Sequence, residues 1–321
     1  SRVNADAGSG AVAVTTASGG DSSNIGAVAI GASVAVNHIT KTTTARIDHA
    51  DVESAAFTVE AESTSDIDAF TFGLSGSLSS GSGTLALAGA GSGSGNEITS
   101  DVSALVIASE LTATGPVKVH ASDASTIDAI TGSVAVAINA GSGEGSKIGV
   151  ALGAAVTINK VNASAIAQVD DTTITATGQD VEITASNSAS IDATAFGVGL
   201  TVSSSESGAA VGVSANVAIT LNDIELSTRA LLTDSNSAVD HDEIVGARDL
   251  VVSATDSGNI TANAVSASIA VSNARTTACC VTKQSYIFRF SSRSRRPRRI
   301  RRRSRSARRC GRSAARAERW R

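Results

Sequence analysis

The chain has 321 residues with 42% hydrophobic residues, 2% aromatics, 29 Gly, no Met and a formal net charge of −4. Aromatic side chains normally supply much of a core's buried area, so a close-packed globule is disfavoured, and the hydrophobic content argues against a simple disordered polymer. The charge is split: residues 1–274 carry 8 Lys and Arg against 29 Asp and Glu (net −21), whereas residues 275–321 carry 18 against the single acid Glu318 (net +17).

The first predicted element is "IGAVAIGASVAVNHI" (25–39). Alternate positions Val28, Ile30, Ala32, Val34 and Val36 are mostly branched and apolar, and those between are small. A period of two is a strand, and the Gly content and Val/Ile/Thr runs disfavour a helix. A strand with a small second face can lie close to another layer, or meet solvent without exposing much apolar area. "FTVEAES" (57–63) alternates in the same way.

Next comes "GSGSGNEI" (91–98), where the matching positions are Leu87, Gly89, Gly91, Gly93 and Gly95. Glycine at these positions predicts a looser edge, a bulge or a loop. "TGP" (114–116) marks a turn before the strand "VKVHAS" (117–122), and "TGQD" (177–180) one before "VEITAS" (181–186). The strand pattern of 25–39 returns in "IGVALGAAVTINKV" (148–161) and "VGVSANVAITLNDI" (211–224). "VGARD" (245–249) then punctuates before "LVVSATD" (250–256), and residues 233–247 read as an inserted surface loop.

These elements are copies of one unit. Aligned on Asn37, Asn96, Asn159 and Asn222, the copies lie 59, 63 and 63 residues apart and share N-x-[IV]-x5-A-x-[IVL]. A second anchor follows each: "AESTSDIDA" (61–69), "ASDASTIDA" (121–129), "ASNSASIDA" (185–193) and "ATDSGNITA" (254–262). The predicted fold is all-β, a parallel β-solenoid (β-helix) over residues 1–274, in which each coil shields the apolar side of the next. A unit of this length suggests three coils of about 20 residues. An array of antiparallel sandwiches is the competing fold, and the lack of a buried aromatic counts against it.

Chemistry-bearing residues are sparse. His38, His49, His120 and His241 share no repeat position and no metal-ligand spacing. "DHDE" (240–243) reads as an acidic, solvated loop; "DID" (66–68) and "DD" (170–171) suggest carboxylate pairs or calcium oxygens, but calcium requires several oxygens converging from a loop. Asp68, Asp128 and Asp192 recur beside Ile67, Ile127 and Ile191, as solubilising residues facing away from the apolar set. "GSGEGSK" (141–147) lacks the Gly-Lys-Ser/Thr ending of a phosphate loop. The four anchor Asn residues are read as strand-closing or corner-bonding amides. The threonines of "TKTTTAR" (40–46) and "DTTITAT" (171–177) suit ice or glycan binding, and equally an exposed strand. No catalytic, cofactor-binding or metal-binding residue is assigned.

The last 47 residues hold every Cys, the Trp and the Tyr. "SSRSRRPRRIRRRSRSARRCGRSAARAERWR" (291–321) has the composition of a disordered basic arm for nucleic acid or another polyanion. It also has that of a shifted reading frame in a GC-rich repeat gene, which is the preferred reading. A chain without Met lacks a start residue, so the sequence reads as a fragment or processed piece, and a missing signal peptide carries no information about secretion. No apolar run reaches the ~18 residues of a membrane span.

With its blocks ending at Asn37, Asn159 and Asn222, the repeat region resembles parts of large bacterial surface and secreted proteins, the filamentous haemagglutinin-like adhesins and leukotoxin-type repeat proteins. That resemblance implies export to the cell surface, a long β-helical stalk, and adhesion to host-cell or extracellular glycan or protein ligands. It supplies no catalytic residue. The expected role is a structural and adhesive segment of an extracellular repeat protein, packed against neighbouring repeats of its parent. The alternatives are a polysaccharide-degrading β-helix enzyme, and polyanion binding through the basic tail.

Overall fold

A computed structural model describes residues 1–16, 25–233, 244–274 and 282–292. Among them every regular element is a strand. The first sheet is built from β1 (Arg2–Thr16), β4 (Phe57–Ser80), β7 (Val117–Glu144), β10 (Asp180–Ser207) and β13 (Asp249–Ala274), in that spatial order. The second is built from β2 (Ile25–Asp48), β5 (Thr84–Ile107), β8 (Lys147–Asp170) and β11 (Ala210–Thr233). A narrow third side stacks β3 (Asp51–Ser54), β6 (Glu110–Ala113), β9 (Thr173–Thr175) and β12 (Ile244–Val245). All of these pair in parallel, each with its counterpart one repeat away, so the chain is a β-solenoid and not a row of antiparallel sandwiches.

One coil consumes the whole repeat: Val59 pairs with Val119, and Val119 with Ile183. The expectation of three coils of about 20 residues is therefore corrected. The chain turns only at residues 81–83, at Ala108 and at residues 114–116 of the second coil, and the strands β4 and β5 run 24 residues each between turns. At a rise of about 3.3 Å per residue such a strand is about 80 Å long. Each coil is thus a broad, flat loop closed by a short third side.

The glycine-rich copy is also corrected. β5 is unbroken through Gly89, Gly91, Gly93 and Gly95 and keeps continuous register with β2 and β8. Partner strands on both sides satisfy its backbone, so lost side-chain packing does not break the ladder. The register irregularity lies elsewhere, between Ser205 and Ser207 of β10.

The core changes character along each coil. Near the third side, β4 points Phe57, Val59 and Ala61 inward, β5 points Val102, Ala104 and Val106, and Leu111 closes the end. Beside them Ile67, Ile127 and Ile191 form a fully buried column facing Ile98 and Val161. Towards the Gly-rich turn the inward residues become Thr71, Gly73, Ser75, Ser77 and Ser79 on β4 and Thr84, Ala86, Ala88, Ala90, Ser92 and Ser94 on β5. There the sheets approach to backbone contact: a methyl group on Gly73 would collide with the Gly91 carbonyl, and one on Gly31 with that of Leu74. Hydroxyls and amides tie the sheets together, as in Ser94–Thr131 (3.0 Å), Thr157 to Thr131 (2.7 Å) and Asn139 to the Thr84 carbonyl (2.6 Å). Fully buried Lys147 closes this end, its Nζ donating to the carbonyls of Gly81 (2.7 Å) and Gly141 (2.8 Å). Burial pulls this ammonium below its ordinary pKa, opposed by Glu206.

The inserted loop proper, residues 234–243, lies outside the described residues, as does most of the basic segment 275–321. Within that segment β14 (Thr282–Ser292) pairs antiparallel with β13. Among the described residues no helix is long and apolar enough to cross a membrane.

Candidate functional site

The anchor asparagines lie in mid-strand of the second sheet and not at corners. Their amides point inward and form a continuous ladder: Asn37 Nδ2 donates to Asn96 Oδ1, Asn96 to Asn159 and Asn159 to Asn222, each at 2.7 Å. A buried amide needs partners, and in-register stacking supplies an identical amide one coil away. The corner lies twelve residues further on, where His49 (φ 50°), Ala108 (φ 46°) and Asp171 (φ 52°) take left-handed backbone. The ladder is therefore a register device, and its amides are occupied with one another.

The half of each coil near the third side is polar outside. On the first sheet the register sets Glu60 beside His120, and Asp68, Asp128 and Asp192 in one column. Glu60, Glu62 and His120 each bring a ligand atom within 4.8 Å of the other two. Two carboxylates and an imidazole have the donor set of a divalent transition metal or of an acid–base pair. Both glutamates are exposed and His120 is half-buried, with Nδ1 2.9 Å from Thr184 Oγ1. This group escapes a search for short ligand spacing because its members are one coil apart. Aligning "AESTSDIDA" with "ASDASTIDA" sets residue 60 against residue 120 and would have found it.

In the aspartate column, partial burial raises the Asp128 pKa above its ordinary value, reinforced by Asp192, Asp68 and Asp66. Arg2 caps one end, paired with Asp66 (3.5 Å) and Asp68 (2.5 Å). As expected of solubilising residues, these aspartates face away from the buried Ile67, Ile127 and Ile191.

The other candidates disperse. His38 lies 3.4 Å from Glu97, and His49 turns a corner beside Asp48 (2.7 Å). Asp170 accepts from Thr233 Oγ1 (2.7 Å), while Asp171 occupies a corner. Thr40, Thr42 and Thr44 share the outer side of β2, but their neighbours on β5 are Thr99, Asp101 and Ser103, so no threonine lattice extends across coils. His241 and residues 240–243 lie outside the described residues.

The half of each coil near the Gly-rich turn is apolar outside. On the second sheet the outward positions from 28 to 36, 85 to 95, 148 to 158 and 211 to 221 carry Val, Ile, Leu, Ala or Gly and nothing else. Central β8 leaves Leu152 46% and Ile158 50% exposed. Gly89 and Gly91 of β5 form the floor of a shallow trough between the β2 and β8 side chains, with Ile30 and Leu152 among its walls. The first sheet repeats the pattern with Phe70, Leu74, Leu78, Ile130 and Val198 outside, and the rings of Phe72 and Phe196 lie 6.2 Å apart over Gly132. The alternation read in the sequence is real, but its small face lies inside and its branched face outside.

No protein-family model matches the chain, and no curated protein or solved structure is similar enough to match it.

Proposed function

We propose that the chain is a structural and adhesive segment of a large extracellular bacterial repeat protein, a stiff spacer whose outer faces meet host-cell or extracellular glycan or protein ligands. One observation carries this reading: like residues stack on like residues at every coil, through the asparagine ladder and the isoleucine column, so another coil can be added without altering the last. A module that extends by repetition is suited to setting distance and to presenting one surface many times. The resemblance of the repeats to haemagglutinin-like and leukotoxin-type proteins points the same way, towards the cell surface or outer membrane.

Binding of the whole chain to glycan arrays and to host cells tests this reading. Specific retention abolished by charge reversal on the polar half supports adhesion, whereas uniform absence of retention removes it and leaves the spacer role alone. The exposed carboxylates beside His120 keep a second reading under test. Cleavage of an anionic polysaccharide, lost in Glu60→Gln and His120→Ala, would make the protein an enzyme.

A further inference from the structure

The apolar half of the second sheet is larger than the patch a solvated monomer ordinarily exposes. On the second sheet the band is 11 residues long and four strands deep, about 36 Å by 19 Å, or about 700 Å². The largest apolar patch of a typical monomer is about 300–600 Å², and each partner of a standard protein interface contributes about 800 Å². The band thus has the area of one side of a stable dimer.

We propose that this face is a docking surface for a second copy of the chain, joined sheet against sheet through the apolar halves. Three features favour this occupant. The surface is a regular parallel sheet, and two such sheets pack face to face about 10 Å apart. It has relief, because the glycine floor of β5 is flanked by branched side chains on β2 and β8, so aliphatic side chains of a partner can enter the trough. Charge fixes the extent of overlap. The outer side of the other half is mixed and net acidic, with Asp48, Glu97, Asp101, Asp170, Asp223 and Glu225 against Arg46, Lys160 and Arg229, so full overlap would bury charges of both signs. The copies therefore overlap through their apolar halves and hold their charged halves apart, in water.

A lipid surface would also cover aliphatic side chains, and vesicle flotation separates that occupant from a second copy in the test below.

The proposal goes beyond the adhesive reading and stands or falls separately from it. Sedimentation equilibrium of the full chain over a range of concentrations, in low and high salt, is the test. The expected result is a concentration-dependent dimer or larger array, undiminished by salt. Leu152→Glu, which places a charge in the middle of the band on an outward position, is expected to weaken association at least 100-fold while circular dichroism and the melting curve stay those of the parent. Thr99→Glu, on the polar half of β5, is expected to leave association unchanged. A chain that stays monomeric at every concentration overturns the proposal. So does association unaffected by Leu152→Glu, or association that disappears in high salt, which would mark pairing of the basic segment with the acidic body. Flotation with phosphatidylcholine vesicles without self-association would assign the face to lipid and overturn it equally.

Discussion

Near the third side of each coil, Ile67, Ile127 and Ile191 fill the space between the sheets and carboxylates face water; near the Gly-rich turn, Gly73, Ser75 and Ala88 lie between the sheets and Leu74, Ile130 and Leu152 face out. The strands are continuous across this change, and so is the alternation of inward and outward positions. The two halves therefore differ in how they hold the sheets together. In the first, burial of branched side chains supplies the stabilisation, roughly 25 cal/mol per Å² of apolar surface. In the second, the sheets approach to backbone contact and are bridged by a few bonds such as Ser94–Thr131, Thr157–Thr131 and Asn139–Thr84. The buried hydroxyls of Ser75, Ser77, Ser79 and Ser92 find no partner there among the described residues, and most of the apolar surface remains available outside. Stability resides mainly in one half and capacity for association in the other.

Substitutions inside the two halves break this comparison most sharply. Ile127 is fully buried in the isoleucine column, and Ile127→Ala is expected to cost about 2–5 kcal/mol, read as a fall in the urea midpoint. A loss well below that range would mean that the Ile-lined half is not the main source of stability. In the thin half the corresponding damage comes from adding atoms. Gly73 faces the Gly91 carbonyl, a backbone group that a rotamer change cannot move aside, so Gly73→Val must force the sheets apart. Overpacking of this kind costs about 1–3 kcal/mol. If Gly73→Val melts like the parent, the sheets are not in contact there.

These halves also differ in how much their residues disclose. The strands, the repeat and the alignment of like residues between coils were legible, because a period of two and a fixed spacing are direct signatures of extended, stacked chain. Coil length was not legible. The corner at His49, Ala108 and Asp171 is made by residues without a common turn signature, and the asparagines that do resemble corner residues are paired with each other in mid-strand. Nor was it legible which face lies inside. Alternation shows that two faces differ, and only the distance between the sheets decides which set fits. In the Ile-lined half that choice follows the usual hydrophobic rule, and in the thin half it is reversed. The cluster of Glu60, Glu62 and His120 was present in the repeat alignment and becomes visible when coils are stacked instead of being read along the chain.

The asparagine ladder sits on the border between the two halves, and its loss should be felt at that border. Asn96 donates to Asn159 and accepts from Asn37, so Asn96→Ala orphans one buried donor and one buried acceptor. Leaving a buried polar group unsatisfied costs about 1–3 kcal/mol. Hydrogen exchange would show where the cost falls, with faster exchange expected on β2, β5 and β8 around residues 37, 96 and 159. Faster exchange confined to the Gly-rich turn would place the border elsewhere.

The smallest expected effect is a gain. Asp128 lies between Asp68 and Asp192 in the register, and partial burial together with these neighbours raises its pKa in the folded chain above the ordinary 3.8. A carboxyl whose pKa is raised by folding binds more protons when folded than when unfolded across the interval between the two values. Stability contributed by this group therefore falls as pH rises through that interval, starting near the ordinary value and ending above the raised one. At neutral pH the full repulsion is present, so Asp128→Asn should raise the melting temperature slightly, by an amount worth less than about 0.5 kcal/mol for an exposed site. The gain should shrink as pH is lowered towards 4, because the parent then carries a proton where the variant carries an amide. A gain that is unchanged by acid would trace to something other than the carboxylate column. It would also weaken the view that the outer face of the Ile-lined half is tuned for solvation at some cost in stability, while the thin half carries no comparable charge.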